Sequence, residues 1–210
     1  MIPRLHIVTD DDTLGREGFV RQGMTILEAG GEDVVFHLRG PRTPGRSLYS
    51  LARKLAPVAE EWGALLLAND RVDLALALAL PGAHLGQRSI PPSAARQILG
   101  PDRVLGLSIH GAEQAGEVEG GNVDFLFVGT IFPSSSHPGR TPGGAGLIRD
   151  IRAVTGRPIL AIGGITPERI PAVLAAGGKG VAVKGGIWDA PDPVAAVGEY
   201  LSELGKGQEN

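Results

Sequence analysis

The 210-residue sequence contains no cysteine, which excludes disulfides, thiolate zinc centres and cysteine nucleophiles together. It also lacks any cluster of basic residues. Its 20 Lys and Arg are scattered against 23 Asp and Glu, for a formal net charge of -3, so no electrostatic footprint for nucleic acid is present. A phosphorylated small molecule is not excluded, because a local site can be positive on an acidic protein. Long apolar runs are missing as well. The weakly polar stretch "LALALALPGAHLG" from Leu74 is broken by Pro81 and Gly82 and is too short to span a bilayer. The start "MIPRLHIVTD" has no basic region followed by a long apolar segment, so it does not read as a signal peptide. The expectation is a cytoplasmic protein with neither membrane nor nucleic-acid partners.

What the chain does have is 42% hydrophobic residues in a regular alternation. Short Leu-rich or β-branched runs, "RLHIVTD", "DVVFHLRG", "ALLLAND", "GAHLGQ", "VLGLSIH", "FLFVGTIF", "PILAIGG" and "GVAVKGG", are separated by longer segments of helical period. Most of those segments begin on a polar or proline signal and end on glycine. Eight strand-then-helix units favour parallel pairing with right-handed crossovers, hence a single-domain (β/α)8 TIM barrel. An open doubly wound sheet is the alternative, but units of about 26 residues suit the small barrel and leave no room for a second domain. The domain is expected to span residues 1–205, with 206–210 as a frayed tail. The Pro-, Gly- and Ser-rich stretch 133–146 reads as a mobile loop or lid.

Two glycine pairs, Gly163–Gly164 in "AIGGITPERI" and Gly185–Gly186 in "VAVKGGIW", then follow strands seven and eight. In this architecture those loops commonly bind phosphate. A missing Cβ lets backbone amides approach the oxygens and adopt positive φ; Val183 and Lys184 lead into the second pair, and Lys184 could add a point charge. The plainer reading is relief of crowding at tight turns. The other strand ends supply a polar ring at the same mouth: Thr9 and Asp10, His37 and Arg39, Asn69 and Asp70, Gln87 and Ser89, Ser108 and His110, Thr130, Ser134, Ser136 and His137. His37 and Arg39, two apart, share a face and are expected to point toward the ligand. His6 and His84 read as hydrogen-bonded structural residues. Asp70 and Asp10 could hold magnesium with substrate phosphates completing the shell, or Asp70 could cap the helix beginning near Arg71, and capping is the safer reading.

The runs "HIVTD", "ANDRVDLALAL", "AHLGQRSIP", "LGLSIH", "VGTIFPSSSHPG", "AIGGITPERI" and "GVAVKGGIW" resemble, in order and over nearly the whole chain, thiamine phosphate synthase and its sister group, the TenI-type thiazole tautomerases. The resemblance implies a TIM barrel in thiamine biosynthesis that holds a phosphorylated thiazole at Gly164 and along 183–186. It also suggests a homodimer. The synthase pattern has Gln-x-Arg-Glu-Lys after strand two, where this chain has His37, Arg39, Gly40 and Pro41. It has a second magnesium-binding Asp in a "GQED"-like motif, where this chain has Arg88 and Ser89. Its Thr-x-Thr-Lys loop after strand six becomes Ser134, Ser135, Ser136 and His137.

Ionising a pyrimidine diphosphate calls for magnesium and cations on the leaving group. Losing a metal carboxylate and lysines therefore favours the tautomerase branch, which needs no cofactor; a synthase would need Mg2+, with Asp70 as ligand. The tautomerase pattern places a catalytic histidine where this chain has Thr130. Removing a carbon-bound proton suits a group of pKa near 7, which leaves His37, His110 and His137 as catalytic candidates. Arg39, Asn69, Gln87, Ser108, Thr130, Ser134 and Ser136 are the expected substrate contacts. A catalytically idle barrel that binds a thiazole or thiamine phosphate is the third reading.

Overall fold

The computed structural model describes residues 2–117, 122–134, 139 and 141–206. Eight parallel strands, β1 (Leu5–Val8), β2 (Val34–Leu38), β3 (Leu65–Asn69), β4 (Gly82–Leu85), β5 (Val104–Ile109), β6 (Phe125–Val128), β7 (Ile159–Ile162) and β8 (Gly180–Val183), pair in chain order. β1 also pairs with β8, Ile7 opposite Val183, so the sheet is a closed barrel and the open doubly wound alternative is excluded. Between and after the strands lie α1 (Asp11–Leu14), α2 (Phe19–Gly30), α3 (Gly45–Trp62), α4 (Val72–Ala77), α5 (Pro92–Leu99), α6 (Ala112–Glu117), α7 (Gly144–Arg152), α8 (Ile170–Ala175), α9 (Gly185–Trp188) and α10 (Pro193–Lys206). The short α1 and α9 are additions to the sequence reading. α10 reaches Lys206, one residue into the expected tail. No helix among the described residues is long and apolar enough to cross a membrane.

Strand alternation divides the interior in two. In β2, Val34, Phe36 and Leu38 turn outward to the helices and join one large apolar cluster. Val35 turns inward and packs with Val8, Leu67, Phe125, Phe127, Leu160 and Ala182 in a second cluster inside the barrel. The same inner space holds the buried polar side chains of His6, His37, Asn69 and His84. Room for these rings comes from a missing side chain on β5: a Cβ at Gly106 would collide with the Phe125 ring and His84 Nδ1. Glycine ends α2, α3 and α5 as expected, whereas α4, α7 and α8 end at Leu78, Ala153 and Ala176. Gly63 closes α3 with φ 74°, a left-handed conformation that costs glycine least.

Gly106→Ala should therefore overpack the barrel interior. A loss of about 1–3 kcal/mol is expected, seen as a fall of several degrees in Tm by calorimetry for a chain of this size.

Candidate functional site

The carboxyl ends of the strands enclose a cavity of about 690 Å³, within the usual size for small-molecule sites. Four cations line it, Arg39, Arg88, Arg169 and Lys184, together with Asp10, Asp70 and Asp189. Two of the three carboxylates are already paired. Asp10 accepts from Lys184 Nζ at 2.5 Å, and Asp189 accepts from Arg16 at 2.5 Å. Arg39 has no carboxylate partner among the described residues. The surplus at the mouth is positive although the chain as a whole is acidic, an arrangement that draws in anions.

On the β7 and β8 side, Gly163, Gly164, Val183, Lys184, Gly185 and Gly186 all line the cavity. Among the described residues, no backbone carbonyl takes the amides of the four glycines, so they remain available to an anion. Tight geometry demands glycine there in any case. Gly163 and Gly164 have φ 98° and 62°, a Cβ at Gly163 would lie 2.6 Å from Thr130 Cγ2, and one at Gly186 would strike Tyr200 Oη. The cation that sequence reasoning missed is Arg169, in the turn 167–169. Its guanidinium donates to the Gly164 carbonyl at 2.5 Å and lies over the Phe132 ring, 4.9 Å from the centroid. Lys184, by contrast, is spent largely on Asp10. Burial alone would raise the Asp10 carboxyl, but hydrogen bonds from Lys184 and from the Thr13 amide and hydroxyl hold it down at about 2.

Across the barrel, Arg39, Asn69, Asp70, Gln87 and Arg88 line the opposite wall. The Thr9 hydroxyl accepts from the Arg39 amide at 2.8 Å and donates back to the Arg39 carbonyl at 2.9 Å, which fixes the strand end that carries Arg39. Asp70 does not cap a helix, contrary to expectation. α4 is preceded by Arg71 and has no side-chain cap. Asp70 stands instead at φ 62°, and its Oδ1 accepts from the Gly86 amide at 2.7 Å and from the Ser89 hydroxyl. Ser89 occupies the place where the resemblance expects a second acid. A hydroxyl there gives Asp70 a proton donor, whereas a second carboxylate would call for a cation between them.

Of the two carboxylates proposed for magnesium, Asp70 is committed on Oδ1 to Gly86 and Ser89 and Asp10 to Lys184 and Thr13. No three His, Asp or Glu side chains converge among the described residues, so a magnesium ion here would depend on substrate phosphates to complete its shell.

The histidines separate by depth. His110 lines the cavity, with Nδ1 2.6 Å from the Gly129 carbonyl, and Ser108, Thr130 and Ser134 line it too. Gln87 reaches the Ser108 carbonyl at 2.5 Å. His84 reaches the cavity from below and contacts Ser108 Oγ through Nε2 at 2.8 Å. His37, expected to face the ligand, is fully buried beneath the floor and is not part of the lining. β2 does turn it inward, but two residues lower than Arg39, and Phe127 and His84 pack against its ring. It lies between His6, 2.8 Å away, and Asn69, 3.0 Å away. Ser136 and His137 lie outside the described residues, as do 135, 138 and 140 of the stretch expected to form a lid.

A TIM barrel whose cation-rich cavity opens at the carboxyl ends of its strands belongs to the architecture that carries its ligand sites at that face. Comparison with known proteins makes the assignment narrower. The family profile for thiamine monophosphate synthase matches residues 5–187, and the chain belongs to that family, whose role is thiamine biosynthesis. It is 37% identical over 212 residues to the thiamine-phosphate synthase of Mycobacterium tuberculosis (strain CDC 1551 / Oshkosh), covering 96% of this chain and 94% of that one. A thiamine-phosphate synthase of Synechococcus sp. (strain CC9605) is 43% identical over 153 residues; this chain spans 44% of that longer protein. The solved thiamine phosphate pyrophosphorylase of Pyrococcus furiosus superposes with a TM-score of 0.83 at 29% identity, covering 97% of this chain and 96% of that one.

Burial lowers the pKa of His6, His37 and His84, that of His37 to about 3. Below the ordinary histidine value of 6.5 the unfolded chain takes up protons that the folded barrel refuses. Stability is therefore fully present above that value and lost as pH falls, on the order of 1 kcal/mol per pH unit for each ring. Asp10 adds a second loss between 3.8 and about 2. Urea midpoints measured from pH 7 to pH 3 should fall steadily, and less steeply in His37→Gln.

Proposed function

We propose that this chain is a thiamine-phosphate synthase, joining a hydroxymethylpyrimidine diphosphate to a thiazole phosphate with release of diphosphate. The observation that carries the reading is its likeness, over nearly the full length of both chains, to curated synthases. The two-ended cavity supports it. The thiazole phosphate sits on the free amides of Gly163, Gly164, Gly185 and Gly186, with Arg169 as its cation. The pyrimidine lies over Asn69 and Ser108, with its diphosphate toward Arg39 and Arg88.

In this reaction the thiazole nitrogen forms a bond to the pyrimidine methylene carbon as the carbon–oxygen bond to diphosphate breaks, and both bonding electrons leave with the diphosphate. The protein supplies positioning and charge. Amide donors hold one substrate, and guanidinium groups meet the oxygens on which negative charge grows. This chain's own residues offer cations for that purpose in place of a paired-carboxylate metal site.

Two observations favour a second reading, a thiazole tautomerase. Ser89 satisfies Asp70 where the synthase pattern has a metal-binding acid, and His110 stands in the cavity wall as a group able to move a carbon-bound proton. Three incubations separate the readings: thiazole phosphate with pyrimidine diphosphate, the same with Mg2+, and thiazole carboxylate phosphate alone. Thiamine phosphate and diphosphate in either of the first two bear out the synthase. Isomerised thiazole without any partner, and no thiamine phosphate, overturns it in favour of the tautomerase. Binding without turnover in all three overturns both and leaves a non-catalytic binder.

Whichever reaction runs, Arg169→Ala should raise KM for the thiazole phosphate about 10- to 100-fold, the worth of one charged hydrogen bond. kcat should change less, and Arg169→Lys should recover part of the loss in steady-state kinetics.

A further inference from the structure

We propose that two neutral histidines sealed inside the barrel, His6 and His37, decide which way round the Asn69 amide stands, and so make that part of the cavity floor a hydrogen-bond acceptor. One chain of contacts fixes how many protons these groups must share. Pro3 carbonyl to His6 Nε2 is 3.1 Å, His6 Nδ1 to His37 Nε2 is 2.8 Å, and His37 Nδ1 to Asn69 Oδ1 is 3.0 Å. Each of the three links needs one hydrogen between its two atoms. The Pro3 carbonyl brings none, and two neutral imidazoles bring two. With Oδ1 of Asn69 turned inward the chain is one hydrogen short, and two lone pairs are forced together somewhere along it.

The missing hydrogen has two sources. One is an extra proton, making an imidazolium. Both rings are fully buried, with His84 edge-on to His37 and the Phe125 and Phe127 rings around them. A charge there has no carboxylate partner among the described residues, and burial opposes it strongly. The other source is the amide itself. Nitrogen and oxygen of a terminal amide occupy nearly the same positions, and the hydrogen-bond network decides between them. Turned about, Asn69 donates Nδ2–H to His37 Nδ1, His37 donates Nε2–H to His6 Nδ1, and His6 donates Nε2–H to the Pro3 carbonyl. Every link is then satisfied with both rings neutral.

The consequence reaches the cavity. Asn69 is 7% exposed and lines the floor, and with its nitrogen committed below, the atom presented above is the carbonyl oxygen. Beyond β4, on β5, Ser108 shows the opposite polarity. His84 Nδ1 is buried with no partner among the described residues. A bare lone pair there costs less than an orphaned N–H, so His84 donates Nε2–H to Ser108 Oγ and leaves that hydroxyl proton free to donate. The floor therefore takes an N–H or O–H of the ligand at Asn69 and an acceptor at Ser108. It rejects a phosphate or carboxylate oxygen at Asn69, which confines the anionic ends of any substrate to the arginine and glycine walls. His6 and His37 act as positioning residues, and the inference does not rest on which of the two reactions the cavity runs.

The test reads protons and not turnover. Protein labelled with 15N at histidine, studied at neutral pH by long-range 1H–15N correlation, should show His6 and His37 both neutral, with hydrogen on Nε2 and a bare Nδ1; signals are assigned by their loss in His6→Gln and His37→Gln. In Asn69→Asp the carboxylate has no hydrogen to give, so His37 Nδ1 should become protonated while the fold persists. An Nδ1–H tautomer or an imidazolium at His37 in the unsubstituted protein overturns the proposal, as does an Asn69→Asp protein in which His37 Nδ1 stays bare.

Discussion

The pairing of β1 with β8 is the contact on which the remainder depends. Closing the sheet removes both edges and converts every second side chain of every strand into the filling of a sealed tube. Whatever polar group falls on that face must then find its partner inside the tube, because water does not reach it. Here the alternation places His6, His37, Asn69 and His84 on the inner face with Phe125 and Phe127. His6, His37 and Asn69 meet that requirement by bonding to one another, and His84 by its bond to Ser108.

The same closure separates a dry interior from a wet mouth over about two residues of strand. His37 and Arg39 show the boundary. The imidazole is buried and neutral below it, and the guanidinium lines the cavity above it. Charge accumulates at the mouth because loops, not strands, carry it there. Arg88 and Arg169 sit on turns following β4 and β7, and the four glycines bring bare amides to the same space. Chemistry on phosphorylated substrates is favoured at such a place, where charged groups are fixed in position beside a low-dielectric wall.

The pairings at the mouth also make physical sense as local solutions. Asp70 receives a hydroxyl hydrogen from Ser89, so the pair is stable without a metal ion. Asp10 receives Lys184, so the strand-eight lysine braces the seam of the barrel more than it serves an anion. The burden of charge passes to arginines, whose planar guanidinium can also lie flat on an aromatic ring, as Arg169 does on Phe132. Family membership and the thiamine pathway follow from the whole chain, whereas the placing of charge at the mouth follows from these few local pairings.

Local pattern was enough to read the eight strands, the intervening helices and the glycine pairs, because period, proline starts and glycine stops are properties of neighbouring residues. It was also enough to see the resemblance, which the family comparison bears out. The relations that only tertiary structure decided run between strands distant in sequence. His37 proved to be beneath the floor because ring depth depends on how β2 is staggered against β3. Asp70 proved to bind the 86–89 turn, not its own helix, because β3 and β4 end side by side. Arg169 escaped notice because a lone arginine after "TPE" carries no signal until the chain folds its turn back over Gly164. Spacing along a chain states which faces side chains share, but contact across a closed sheet depends on register and depth, and those exist only once the barrel has formed.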